Sequence, residues 1–360
     1  MFHLKNVCNN SSCDYVLNDD RNGGKILVKY KGNKSKVVIP DELDIRVIGN
    51  GAFEEKFSII KIESNTVKKI DQHALKNCIN LKYVSFPNVK IIENCAFWGC
   101  KELVNVFFPK AEIIGKKVFW YCINLESVFF PKVKMIQNDA FSACINLKNV
   151  FFPNAKTINQ RAFEFCGSLI NVFFPMVEKI GNKTFWCCSK LKNIFFPNAK
   201  IIGNWAFWYC INLKSVSFPN VKKVGNWAFW YCINLKSVSF PKVEIVENDS
   251  FNSCKKIECV SFPKIKTIRH KTFFSCKNLK SVSFPNLKII ESLSFFECEK
   301  LSTFLGNPDV IYIGVNAFTK RSKMDDMKFI PLYFDVERYL GFRPVNMDDE
   351  LKYHYEYVKI

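Results

Sequence analysis

The stretch at residues 210–232 reads CINLKSVSFPNVKKVGNWAFWYC, and it is one unit of a repeat that runs through most of the 360-residue chain. A cysteine recurs every 22 residues without insertion or deletion. The series comprises Cys78, Cys100, Cys122, Cys144, Cys166, Cys188, Cys210, Cys232, Cys254, Cys276 and Cys298. A Phe-Pro pair and a second phenylalanine keep the same step. A fixed period of this length predicts a solenoid, in which each repeat forms one coil stacked on the last.

Each coil carries the same apolar pattern. Numbered from Cys210 as position 1, apolar residues occupy positions 1, 4, 7, 9, 12, 15, 19 and 20. Residues 213–218 end in an alternating pattern, which predicts a strand with one buried face, and Pro219 ends it because proline has no N–H for the ladder. Residues 221–224 predict a second, short extended piece. The spacing of the apolar residues within 227–232 predicts a single helical or 3₁₀ turn.

This pattern resembles the BspA-like leucine-rich repeats, whose signature is roughly L-x-x-I-x-L-P-x-x-L-x-x-I-G-x-x-A-F-x-x-C. Here residues 213–232 read L-K-S-V-S-F-P-N-V-K-K-V-G-N-W-A-F-W-Y-C, with phenylalanine where the family more often has leucine before the proline. The resemblance covers about residues 36–319. It implies an α/β repeat fold, a leucine-rich-repeat solenoid, here with about 13 coils. It also implies a surface or secreted interaction protein of the kind that includes adhesins and cell-surface antigens, and not an enzyme.

The repeat divides the chain into three parts. Residues 1–35 are expected to form an N-terminal arm and capping hairpin, residues 36–319 the solenoid, and residues 320–360 a C-terminal cap or tail. Two alternating runs within residues 25–39 predict the hairpin, which would cover the open edge of the first coil. Residues 320–360 leave the repeat and mix aromatic with charged residues. A cap is the simplest interpretation of them, and a separate binding tail is the alternative.

The formal net charge of +19 bears on partners and solubility rather than on the fold. It favours acidic proteins, anionic glycans or an anionic lipid surface. Residues 1–20 lack the apolar run of a secretory signal, and no apolar segment is long enough to predict a transmembrane helix. The absent signal and the many thiols favour a reducing interior, whereas the family resemblance favours the cell surface. The sequence therefore leaves the location open.

Eleven of the 16 cysteines share one repeat slot. We interpret them as a ladder of buried free thiols that act as small hydrophobic side chains, because disulfides between neighbouring coils would distort a regular stack. A zinc site needs ligands that converge, which a single-file ladder does not supply, and the Cys8 and Cys13 pair has no histidine support. The sequence therefore predicts no metal and no cofactor.

The candidate partner-binding surface lies on the strands. Position 8 falls between two inward positions and therefore points outward. Five successive coils have phenylalanine there, and we call these residues the Phe file: Phe107, Phe129, Phe151, Phe173 and Phe195. Stacked in register they would expose on the order of 500 Å² of apolar surface, which is typical of an interface. Asn149, Asn171 and Asn193 flank the file at position 6. Cross-strand stacking that stabilises the sheet is the alternative role, and the two are compatible.

Lysines recur at positions 5 and 13 of the coils, about 5 Å apart along the stack. The candidate anion-binding residues are Lys148, Lys192, Lys214 and Lys236 at position 5, and Lys200 and Lys222 at position 13. A solvated basic edge, whose aliphatic stems cover apolar surface, is the alternative. Nucleic acid is a disfavoured partner, because the Phe file lacks the varied side chains that read bases.

A second aromatic surface is expected on the turn side of the coils. Position 21 carries Trp98, Trp120, Trp186, Trp208 and Trp230. These indoles would either fill gaps between the turns of adjacent coils or bind sugars or protein.

No catalytic constellation is visible. The four histidines are scattered over different coils and both ends, and the chain has no glycine-rich phosphate loop, His-x-x-x-His or Gly-x-Ser-x-Gly motif. The sequence therefore predicts a non-enzymatic binding scaffold for protein–protein interaction or adhesion, which uses the outward face of its strand sheet. The alternative is a binder of anionic glycan or a membrane surface that uses the lysine files.

Overall fold

The chain winds into a β-solenoid of 13 coils, as seen in a computed structural model that describes residues 14–20, 23–306 and 310–318. Every coil contributes a first strand, here called the A strand. The A strands are β3 (Lys36–Val38), β5 (Lys61–Glu63), β7 (Tyr83–Ser85), β9 (Asn105–Phe107), β11 (Ser127–Phe129), β13 (Asn149–Phe151), β15 (Asn171–Phe173), β17 (Asn193–Phe195), β19 (Ser215–Ser217), β21 (Ser237–Ser239), β23 (Cys259–Ser261), β25 (Ser281–Phe284) and β27 (Thr303–Gly306).

A second, mostly two-residue strand follows in each coil, here called the B strand. The B strands are β4 (Ile45–Ile48), β6 (Lys69–Ile70), β8 (Ile91–Ile92), β10 (Ile113–Ile114), β12 (Met135–Ile136), β14 (Thr157–Ile158), β16 (Lys179–Ile180), β18 (Ile201–Ile202), β20 (Lys223–Val224), β22 (Ile245–Val246), β24 (Thr267–Ile268), β26 (Ile289–Ile290) and β28 (Tyr312–Ile313). Two further strands precede the first coil, β1 (Tyr15–Asp19) and β2 (Lys25–Tyr30).

Strands of one type pair in parallel from coil to coil. Across the regular coils a residue pairs with the residue 22 positions later, as Val128 does with Val150. The A strands form a sheet of eight strands, β3 to β17, and a sheet of five, β19 to β27. The B strands up to β22 form a twelve-stranded sheet together with β1 and β2, and β24, β26 and β28 form a sheet of three. The constant register is what places equal positions of successive coils side by side.

The core is a continuous stack of the inward positions. The phenylalanines at position 20 are fully buried and pack ring on ring, with centroids 5.1 Å apart for Phe207 and Phe229. The phenylalanines at position 9 form a second stack beside the first, with the ring centroids of Phe196 and Phe218 6.1 Å apart. No coil could bury these rings alone, and burial of each is worth about 2–3 kcal/mol. The predicted stacking of identical coils is confirmed.

The cysteine ladder is buried as expected. Each of its eleven thiols donates a hydrogen bond to the backbone carbonyl 25 residues earlier, over 3.0–3.3 Å. Every cysteine within the described residues is a free thiol. The ladder cysteine therefore combines a small apolar side chain with one weak donor that a carbonyl of the preceding coil accepts.

The expected helical or 3₁₀ turn in each coil is wrong. No described residue is α-helical, although a 3₁₀ turn spans Asp41–Leu43. Positions 18 and 22 adopt left-handed backbone, with φ of 56° at Trp205 and 60° at Tyr209, whereas a helix needs negative φ throughout. The Phe207 N–H donates to the Ala228 carbonyl of the next coil at 2.7 Å, and not to a carbonyl four residues earlier. The apolar spacing alone does not distinguish these two backbones.

The hairpin predicted within residues 25–39 is wrong, and β1 and β2 form a different antiparallel pair over residues 15–30. Strand β2 pairs antiparallel with β1 and parallel with β4, while β3 pairs with β5 in the other sheet. The two runs within residues 25–39 are therefore two sides of a coil rather than two arms of a hairpin. Tyr30 packs on Phe53 with centroids 5.1 Å apart, so β2 acts as the B strand of an extra partial coil.

The last repeat slot in the described part of the chain is Ala317 and Phe318, and Phe318 stacks on Phe295 at 5.2 Å. The predicted cap or tail at 320–360 lies outside the described residues. Over the described residues, no helix has the length and apolar character needed to cross a membrane.

Candidate functional site

The A strands place the Phe file on an exposed face. In β9, β11, β13 and β15 the middle residue is buried while its two neighbours are exposed, because side chains alternate along a strand. The buried valine packs into the core, and the outward phenylalanine keeps between 37% and 59% of its surface exposed. The predicted direction of position 8 is therefore confirmed.

The five rings of the Phe file form one continuous stack. Successive ring centroids from Phe107 to Phe195 are 6.0, 6.1, 5.2 and 4.7 Å apart. In three of the four contacts the ring planes are nearly parallel, with interplanar angles of 10° or less. The stack ends where β19 begins, since position 8 is Ser217 there. The geometry expected from the repeat is present, and its role in binding stays a prediction.

The asparagines beside the Phe file bond to one another. The Asn171 amide donates to the Asn149 side-chain oxygen at 2.7 Å, and the Asn193 amide donates to the Asn171 oxygen at 2.6 Å. All three are exposed. This chain of hydrogen bonds holds the amides in one orientation and gives the apolar file an ordered polar border.

The candidate lysines divide into two groups. Lys148 and Lys200 are paired with glutamates one coil earlier, Glu126 at 3.0 Å and Glu178 at 2.8 Å. Lys222 lies 4.0 Å from Glu244 of the next coil. Each of these glutamates occupies the same position in its coil as the lysine that it pairs with. A search for acids 22 residues from each lysine could therefore have revealed the pairing from the sequence.

The other three candidate lysines, Lys192, Lys214 and Lys236, are exposed and form no ion pair with any residue in the described part of the chain. The next acid along position 5 is Glu258, which pairs with Lys280 at 2.9 Å. Glu258 also interacts with Lys236, so among the candidate lysines at position 5 only Lys192 and Lys214 have no acid at position 5 of an adjacent coil.

The turn side carries the indoles as a stack. Trp186, Trp208 and Trp230 follow one another with centroids 4.7 and 5.5 Å apart, and Trp205 stacks on Trp227 at 4.9 Å. The Lys183 ammonium lies 3.8 Å from the Trp186 ring centroid, which is a cation–π contact. These rings are half-buried and contact one another, as expected for side chains that fill the spaces between turns.

Comparison with known sequences identifies the family. The BspA type leucine rich repeat region matches residues 28–133, 112–236 and 200–327, in six copies. The chain belongs to the BspA-type leucine-rich repeat family. No curated protein sequence matches the chain significantly.

Solved structures with the same fold include three that cover most of this BspA-type chain. A leucine-rich repeat protein from Bacteroides ovatus has 22% identity and a TM-score of 0.55, covering 90% of this chain and 99% of its own. A leucine rich cell surface protein from Faecalibacterium prausnitzii has 22% identity and a TM-score of 0.51, with 83% and 94% covered. The pneumococcal vaccine antigen PcpA has 18% identity and a TM-score of 0.51, with 84% and 96% covered. These likenesses establish the fold.

No group of three or more histidine, cysteine or acidic side chains with metal-binding geometry occurs among the described residues. Burial raises the pKa of the Cys78 thiol to about 12 and holds the pKa of Cys100 well above its ordinary value, so these thiols stay protonated.

An open groove lies on the opposite, B-strand face, and no sequence motif indicated it. It has a volume of about 730 Å³ and mixes exposed apolar with basic side chains. Its lining includes Ile113, Met135, Met176, Lys132, Lys134 and Lys156. The outward position of the B strands varies from coil to coil, so no repeated residue type marked this face.

Proposed function

We propose that the chain is a non-enzymatic binding scaffold whose Phe file docks on an apolar surface of a partner protein. The observation that carries the proposal is the uninterrupted exposed stack of rings from Phe107 to Phe195. Families of this repeat type are interaction scaffolds, and surface apolar patches of this kind mark interfaces more often than not. The F. prausnitzii and pneumococcal structures are described as a cell surface protein and a vaccine antigen, which favours display at a cell surface for this chain too.

The size and composition of the patch fit the centre of a protein interface. Five half-exposed rings offer on the order of 400–500 Å² of apolar surface, about half of the ~800 Å² that each partner buries in a standard complex. Aromatic side chains dominate the binding energy of such interfaces, and polar residues form the rim. Asn149, Asn171 and Asn193 would supply part of that rim through their free amide atoms and neighbouring backbone.

The rigidity of the file also favours binding. The three inner phenylalanines are each held between two neighbouring rings, and every strand of the file except the last is paired on both sides within the eight-stranded sheet. A surface that is already ordered loses little side-chain entropy when a partner docks. Cross-strand stacking therefore stabilises the sheet and prepares the surface for binding.

The test replaces Phe129, Phe151 and Phe173 with serine, the residue that later coils carry in the same position. A control variant replaces three exposed aromatics on the turn side, Tyr121, Phe165 and Tyr231, with serine. The wild type and the two variants are each cross-linked to proteins of the source cell, and the captured partners are quantified for each. We expect the first variant to capture at least tenfold less of one partner than the wild type does, and the control variant to capture that partner as well as the wild type. A folded first variant that keeps every partner overturns it.

A gain-of-function arm strengthens the test. Ser217→Phe and Ser239→Phe would extend the file by two rings on the neighbouring coils. If the file is the docking surface, affinity for the captured partner stays equal or rises, and it changes little between low and high salt because the contact is apolar. A steep loss of affinity with salt would assign the contact to charged residues instead.

A further inference from the structure

The coils just beyond the Phe file form a basic surface without acids. Residues 179–243 contain ten lysines and no aspartate, glutamate or arginine. The nearest acids along the chain, Glu178 and Glu244, lie beside Lys200 and Lys222. Three of the lysines without an ion pair share position 5, directly before β17, β19 and β21, and they are spaced by about 4.8 Å per coil. They are Lys192, Lys214 and Lys236.

Serines occupy the outward positions of the strands that directly follow Lys214 and Lys236. β19 and β21 pair in register, so that Ser215 lies beside Ser237 and Ser217 beside Ser239. All four serines are exposed, and their hydroxyls make no hydrogen bond to any residue in the described ranges. Ammonium and hydroxyl donors together are the groups that bind sulfate and phosphate oxygens in proteins.

The A-strand sheet is interrupted between the coils of Lys192 and Lys214, whereas β19 and β21 stay paired in register beside Lys214 and Lys236. The A strands form two sheets, and the break lies between β17 and β19, which directly follow Lys192 and Lys214 in the chain. Two other position-5 lysines, Lys148 and Lys280, instead follow a glutamate one coil earlier. Like charges directly opposite one another weaken strand pairing. A polyanion placed across these coils would remove that repulsion, so the surface has a physical reason to favour one.

The surface chemistry also distinguishes between kinds of polyanion. Single-stranded nucleic acid is held by aromatic platforms on which bases stack. The outward positions of β19 and β21 carry serines only, and the exposed phenylalanines end at Phe195. A sulfated glycan needs no stacking platform for its charged groups, and its sulfates and hydroxyls match ammonium and serine donors.

We propose that Lys192, Lys214 and Lys236, with the serines of β19 and β21, bind a linear sulfated glycan that runs along the stack of coils. This surface shares only the coil of Lys192 and Phe195 with the Phe file, and it does not depend on the proposed protein interface. The two surfaces adjoin at Phe195 and Ser217, so a sulfated glycoprotein could engage both.

The test compares two triple variants with the same net charge. The site variant carries Lys192→Gln, Lys214→Gln and Lys236→Gln. The control variant carries Lys148→Gln, Lys200→Gln and Lys280→Gln, which removes three lysines that already pair with glutamates at 3.0, 2.8 and 2.9 Å. Binding of a heparin dodecasaccharide is measured by calorimetry at several salt concentrations, after circular dichroism confirms that both variants are folded.

The proposal expects the site variant to bind about tenfold or more weakly, with a salt dependence reduced by roughly two to three counterions, while the control changes less than about threefold. Ser217→Ala with Ser239→Ala should weaken binding further without a change in charge. Equal losses in both triple variants would show a net-charge effect and overturn the assignment. So would binding of oligodeoxythymidylate as tight as that of heparin, or equal binding of the desulfated dodecasaccharide.

Discussion

The Cys232 thiol donates a hydrogen bond to the backbone carbonyl of Phe207, 3.2 Å away and 25 residues earlier in the chain. The same carbonyl oxygen also accepts the Cys210 N–H at 3.2 Å. The thiol therefore donates to the second lone pair of that oxygen. This contact repeats in every regular coil and links each turn to the turn before it. It explains why the slot holds cysteine: the side chain must be small and apolar and must still carry a donor.

Replacement of one ladder cysteine should therefore cost stability. We expect Cys232→Ala to lower the free energy of unfolding by roughly 1–2 kcal/mol, because it removes a buried sulfur and one carbonyl partner. Urea denaturation followed by circular dichroism measures the loss. The exposed Cys259→Ala is the control and should change stability by less than about 0.5 kcal/mol. Similar losses in the two variants would contradict the role of burial and the thiol bond.

The ladder thiols should also be unreactive in the folded protein. Burial raises the pKa of Cys188 well above its ordinary value, so the reactive thiolate is scarce there, whereas Cys259 is exposed. In a background with Cys8→Ser and Cys13→Ser, iodoacetamide at pH 8 should label Cys259 first. Labelling of the eleven ladder cysteines should need denaturant. Peptide mass spectrometry reads out each site, and rapid labelling of Cys188 in the native protein would contradict the buried ladder.

The left-handed positions offer a stabilising substitution. Ala143 has φ of 59°, a conformation that costs an L-residue roughly 1–2 kcal/mol and that glycine adopts freely. Glycine also gains more conformational entropy in the unfolded chain, which offsets part of this relief. The net effect of Ala143→Gly should be to raise the free energy of unfolding by about 0.5–1 kcal/mol.

Ala140, three residues earlier in the same turn, provides the control. It is fully buried and does not have positive φ, so Ala140→Gly should destabilise the protein by about 1 kcal/mol. Thermal and urea unfolding of both variants give the sign directly. The same sign for the two substitutions would mean that the left-handed turn is not the source of strain.

Glu164 should make stability depend on pH. It occupies the position that holds Trp186 in the next coil and Ser142 in the coil before, and burial raises its pKa to about 7, against the lowering influence of Arg161 and Lys183. The folded protein therefore binds this proton more tightly than the unfolded chain does. The stability that the protonated carboxyl contributes is fully present below about pH 4.5 and is lost as the pH rises through about 7.

Glu164→Gln mimics the protonated side chain and should be more stable than the wild type at pH 8, by on the order of 1 kcal/mol after allowance for solvent screening. The advantage should shrink steadily towards pH 4.5. Denaturation at pH 8, 7, 6 and 5 tests this. A glutamine variant that is less stable at pH 8, or equally different at every pH, would contradict a raised pKa at Glu164.

Much of the candidate site could be predicted from the sequence because the repeat has no insertions. When every coil has 22 residues, position 8 of one coil must lie beside position 8 of the next, and the order of the five phenylalanines follows. The pairing of Lys148 with Glu126 obeys the same rule, and a comparison of residues 22 apart would have revealed it. The uncompensated state of Lys214 then follows from the absence of acids in the neighbouring coils.

The sequence by itself determined the solenoid, its 13 coils, its buried cysteine ladder and its exposed Phe file, because a strict period makes every coil bury the same slots. The tertiary structure alone decided the backbone of the turns, the partner of β2 and the division between β17 and β19. The physical reason is that these features depend on hydrogen bonds between coils. The Phe207 N–H reaches Ala228 only once the next coil is in place, and no pattern within one repeat records that contact.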